Sequence, residues 1–100
     1  MIEKKLNNDM KIKAFFDEET STISYVIYDI KSKKCAIIDS VLDFDFSSGT
    51  INYHNADKII SYVKKENLDV EWIIETHVHA DHLSASPYIQ KKIGGKIAIS

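Results

Sequence analysis

One cysteine, one proline and three glycines are all that this 100-residue chain holds of the residues that cross-link or punctuate structure. A single cysteine excludes an internal disulfide and fits a reducing compartment. So little glycine and proline leaves no material for a linker, and there is neither an internal repeat nor a low-complexity tract. Neither sign of charge dominates. Thirteen basic against fifteen acidic residues give a net charge of −2, so the chain lacks the electrostatic footprint of a nucleic-acid or anionic-membrane binder. No apolar run reaches the length of a membrane span, and residues 1–9 hold no apolar core of the kind a signal peptide needs. A cytoplasmic location is expected. What is present is 44% hydrophobic and 28% charged, the composition of one small globular domain over residues 1–100, with 1–9 expected to be flexible.

Hydrophobic periodicity orders the chain. Residues 10–16 alternate and end in two phenylalanines, which suits a strand. After the polar turn 17–20, residues 21–30 place Ile23, Tyr25 and Ile27 on one face and Val26 and Tyr28 on the other. Apolar residues on both faces predict a strand covered on both sides. A lysine-rich turn leads to a third strand over 35–39, and Val41 to Asn52 reads as a loop. The period then lengthens to that of a helix: Ala56, Ile59, Ile60 and Val63 form a stripe opposite Lys58, Lys64 and Lys65, with Asn55 as the expected N-cap and Asp57 in the first turn. A strand follows over 70–75. Ser86 as N-cap and Pro87 as first helical residue are expected to open a second helix that Gly94-Gly95 ends, and residues 96–99 begin another strand. The predicted order is β-β-β-α-β-α-β. A strand-helix-strand crossover implies parallel pairing, and ligands of such sheets bind beyond the carboxyl ends of the strands.

The most specific signal stands at one of those ends. Thr76-His77-Val78-His79-Ala80-Asp81-His82 gathers three of the four histidines of the chain into six residues, spaced H-x-H-x-D-H. Imidazole and carboxylate are the donors that hold zinc, iron and manganese. On an extended stretch His77, His79 and Asp81 share a side and can converge on one ion, while His82 points elsewhere and suits a neighbouring second metal. The metal-ligand candidates are therefore His77, His79, Asp81 and His82, and Asp81 is also the candidate catalytic group.

Other residues carry less. Asp39 ends a strand expected beside the one that bears the motif, so it is a candidate to orient a ligand from behind. Cys35 sits in an apolar run and reads as a small buried hydrophobe. His54 and the lysine pairs 64–65 and 91–92 read as solvated surface, and Tyr88 as a core residue near the site.

The motif resembles the defining loop of the metallo-β-lactamase superfamily. Five segments together resemble its persulfide dioxygenase branch more closely: Phe15-Phe16-Asp17, Ser21 to Val26, Ala36 to Asp39, Val41 to Asp45 and Glu75 to Ser84. The insertion at 41–50 separates the chain from the hydroxyacylglutathione hydrolases. The resemblance implies an α/β (α+β) fold, the N-terminal half of an αββα sandwich. It implies Fe(II), with Zn as the alternative, and oxidation of glutathione persulfide by O₂ to sulfite. In that branch His77 matches an iron ligand whose two companions come from later in the sequence. His79, Asp81 and His82 match metal ligands of the hydrolase branches, and Asp39 matches an aspartate that braces the loop. Ser40 departs from the proline usual at its position.

Because the later ligands are not among these 100 residues, the chain is expected to be inactive alone and to hold metal weakly or not at all. It is further expected to form homo-oligomers or to pair with a complementary C-terminal half, which would cover the exposed sheet face. Two other functions fit the residues: a thioester hydrolase acting on a glutathione thioester, and a non-catalytic truncated remnant that self-associates.

Overall fold

The computed structural model describes residues 2–5, 9–17, 22–40, 43–45, 50–76 and 85–99. Strands β1 (Ile2–Lys5), β2 (Met10–Asp17), β3 (Thr22–Asp29) and β4 (Lys34–Ile38) form an antiparallel meander. A short ribbon follows, β5 (Asp43–Asp45) paired with β6 (Thr50–Asn52). Then come helix α1 (His54–Lys65), strand β7 (Asp69–Glu75), helix α2 (Ser86–Ile93) and strand β8 (Lys96–Ile99). The main sheet has the order β1-β2-β3-β4-β7-β8. β7 joins it parallel to β4, and β8 parallel to β7, as the crossover pattern predicts.

This is the expected mixed α/β half-sandwich, with four local corrections. Residues 1–9 are not uniformly flexible, because Ile2–Lys5 pair with β2 in the register Ile2↔Ala14. A main-chain ladder needs no apolar alternation, so composition carried no trace of it. The expected loop at 41–52 contains the β5–β6 ribbon. Asn55 is the second residue of α1 rather than its cap; the N-cap is Tyr53, with no side-chain cap bond. Ser86 likewise opens α2 instead of capping it.

The two faces of the sheet differ sharply. On one, Phe15, Val26, Ile37 and Ile73 pack against Ala56, Ile59 and Val63 of α1 and Ile89 of α2, and all eight are at most 2% exposed. Burying one such isoleucine contributes about 1.5–3 kcal/mol. Gly94 and Gly95 turn the chain tightly out of α2 at positive φ. A Cβ at Gly95 would stand 2.7 Å from Val70, which excludes any larger residue. On the other face the register aligns apolar rows: Ile12, Ile27, Ala36 and Trp72, then Ala14, Tyr25, Ile38 and Ile74, then Phe16 and Ile23. None of these ten is buried. Apolar residues on both faces were expected to be covered on both; the described helices cover one.

Candidate functional site

Parallel β4 and β7 end at the same edge, with Ile38 opposite Ile74, so the residues that follow them meet. Asp39 N–H extends the ladder by donating to Ile74 O at 2.8 Å. The backbone then turns at Asp39 with φ of 56°, a left-handed conformation that aspartate tolerates better than most residues. That turn aims the carboxylate at Thr76. Thr76 N–H donates to Asp39 Oδ1 at 2.8 Å and Thr76 Oγ1 donates to Oδ2 at 2.7 Å. Ser24 Oγ fixes the corner from the third strand by donating to Asp39 O at 2.7 Å.

Asp39 therefore holds the residue immediately before His77. Both of its oxygens accept from Thr76, so the carboxylate ties the ends of β4 and β7 together beside the motif.

The far end of the motif segment returns to the same dipeptide. Ala85 N–H donates to Ser40 O at 3.4 Å, and the fully buried Ser40 and Ser86 hydroxyls face each other at 3.4 Å. His77, His79, Asp81 and His82 themselves lie outside the described residues, and among the described residues no group of three or more His, Cys, Asp or Glu can hold a metal. The fit of a metal thus rests on the donor chemistry of the motif and on the braced point from which it departs.

Other candidates resolve simply. Cys35 is buried, and desolvation, reinforced by the negative charge of Asp69, pushes its thiol up to about 12. It is an inert core residue. Tyr88 packs against the core while its hydroxyl donates to Asp57 at 2.8 Å, and that bond raises the phenol above its usual value. Its ring stacks on Tyr53 at 4.1 Å, joining the starts of the two helices. His54 is exposed and lines a separate cavity of about 550 Å³ with Lys13, Lys58 and Tyr62. Sequence reasoning missed Thr76 as the donor to Asp39, read Ser40 only as a departure from proline and Ser86 only as a helix start, and gave Ser24 no role. Thr76 was legible as a hydroxyl abutting the motif, whereas the serines join strands far apart in the chain.

Comparison with known proteins agrees with this geometry. The family model for the metallo-beta-lactamase superfamily matches residues 18–100. The chain belongs to that superfamily. It is 51% identical over 90 residues to a probable metallo-hydrolase of Burkholderia pseudomallei, covering 90% of this chain and 31% of that protein. It is 53% identical over 88 residues to a beta-lactamase hydrolase-like protein of Agrobacterium fabrum, covering 88% of this chain and 20% of the relative. A crystal structure of ETHE1 from Myxococcus xanthus superposes with a TM-score of 0.70 at 28% identity, over 86% of this chain and 33% of that one. The chain thus spans a third or less of the length of these superfamily members. No described helix is long and apolar enough to cross a membrane.

Proposed function

We propose that this superfamily chain supplies the metal-binding loop of a persulfide dioxygenase, with Fe(II) held in part by His77 and glutathione persulfide as substrate. The observation that carries the proposal is the Asp39–Thr76 brace, which anchors the H-x-H-x-D-H segment at the carboxyl edge of parallel strands. The flanking segments that resemble the persulfide-oxidising branch and the likeness to ETHE1 support the branch. The remaining ligands come from a second half of the sandwich, whose sheet covers the open face. In the absence of that half the chain self-associates through the same face.

Each residue has a defined task. Fe(II), held in part by His77, would supply the redox chemistry that a reaction with O₂ needs. Asp39 fixes the main chain before His77 through Thr76 and so orients that imidazole. His79, Asp81 and His82 are the further donors that the motif offers, and Asp81 is the residue to which we assign proton exchange with substrate.

A thioester hydrolase is the second reading, favoured by the hydrolase names of the relatives. The deciding experiment assays the chain together with a complementary second half. Oxygen uptake with glutathione persulfide, abolished by His77→Ala, is the expected result; thioester cleavage without oxygen uptake would establish the hydrolase instead.

A further inference from the structure

Helix α1 carries two stripes. One is the core stripe of Ala56, Ile59, Ile60 and Val63. The other runs through positions 54, 58, 61 and 65, again at spacings of three and four, and lines a cleft with β2. From the strand come Phe15 and Lys13, two apart and therefore on one side of β2. Helix flank and strand enclose a cavity of about 550 Å³, a volume within the range of small-molecule sites.

The floor of the cavity is aromatic. Phe15 is 1% exposed and meets the Tyr62 ring edge-on, with ring centres 5.7 Å apart. The rim is charged. Among the described residues it sets Lys13, Lys58 and Lys65 against Asp57 and Glu66, three positive to two negative, in a chain whose net charge is −2. One of the two acids is already engaged, since Asp57 Oδ1 accepts from the Tyr88 hydroxyl at 2.8 Å. The Lys13 ammonium stands 5.3 Å from the centre of the Tyr62 ring, which holds its charge over the aromatic wall. Lys58 and Lys65 have no carboxylate within ion-pair distance among the described residues. The helix field accounts for Lys65 in the last turn, but it gives nothing to Lys58 in the N-terminal half of α1.

We propose that this cavity binds a small aromatic carboxylate, with its flat apolar body against Phe15 and Tyr62 and its negative end among Lys13, Lys58 and Lys65. Lysine holds an oxyanion as a point charge rather than in a fork, so the site selects for charge beside an apolar body more than for one particular acid group. The site as assigned needs no residue of the metal motif and stands whether or not the chain holds metal.

The test is an NMR titration of the full chain with naphthoate and, separately, with its uncharged counterpart naphthylmethanol. Naphthoate should bind with a Kd on the order of 1 mM or tighter, the scale for a ligand of its size, and shift amides of β2 and of α1 around the cavity. The alcohol should bind about fivefold more weakly, the scale of two exposed charge pairs, and salt at about 0.5 M should narrow that difference. Lys58→Gln/Lys65→Gln should weaken naphthoate about fivefold and leave the alcohol unchanged. Lys64→Gln/Lys91→Gln removes the same charge from positions outside the cavity and should leave both ligands unchanged. All four lysines are exposed, so neither variant threatens the fold.

Equal binding of acid and alcohol, or equal effects of the two double variants, would overturn the site. Shifts centred on the open face around Tyr25, Ile38 and Trp72 would overturn it too, as would no binding of naphthoate at about 10 mM.

Discussion

Ile37 and Ile38 are neighbours on β4 and live in different worlds. Ile37 faces the helices and is fully buried, whereas Ile38 faces the open side and is only partly covered. The same contrast holds between Phe15, 1% exposed, and Phe16, 51% exposed, on β2. A strand this apolar on both sides is the pattern of a layer with a neighbour above and below. The covered face explains how the domain holds together; the open face is the surface to which we assign a partner sheet. The comparison teaches that the core and the proposed contact surface lie on opposite sides of one sheet.

Single substitutions can break that contrast. Ile37→Ala should cost about 3–4 kcal/mol in denaturant unfolding, the range of a cavity in a packed core, while Ile38→Ala should cost under about 1.5 kcal/mol. Equal losses would show that the open face is already covered in the chain alone. Next in size is the corner that joins fold to site. Asp39→Asn keeps tolerance of positive φ but trades a charged acceptor for a neutral one, and about 1–2 kcal/mol should be lost. Thr76→Val should give a similar value, and the double variant should be markedly less than additive.

A smaller effect concerns pH. Cys35 is pushed up to about 12 from 9.0 by burial. Below pH 9 the thiol is protonated in both folded and unfolded chains and contributes nothing. Between 9 and 12 the unfolded thiol ionises while the folded one does not, so stability falls as pH rises through that window. Cys35→Ala should flatten the decline. Native Cys35 should also resist alkylation at pH 8 and react only on unfolding.

Much of this was legible in the sequence because periodicity reports burial. The stripe of Ala56, Ile59, Ile60 and Val63 located α1, and the H-x-H-x-D-H spacing, with its flanks, pointed to the superfamily. Asp39 was legible as a strand-end acid beside the motif. The rest depended on contacts between distant positions. Main-chain pairing of Ile2–Lys5 leaves no side-chain pattern, and the Ser40–Ser86 pair exists only once β4 and α2 are brought together. Asn55 failed as a cap because the helix begins at His54 with Tyr53 in the cap position, which puts Asn55 inside the first turn, buried with the stripe.

The account turns on the open face. Light scattering of the purified chain measures it directly, against a chain mass of 11.4 kDa. The expected result is an associated species that Trp72→Lys, which places a charge on that face, disperses without loss of helix content. A monodisperse 11.4 kDa monomer, stable with the open face in water, would contradict the reading of this chain as one half of a sandwich.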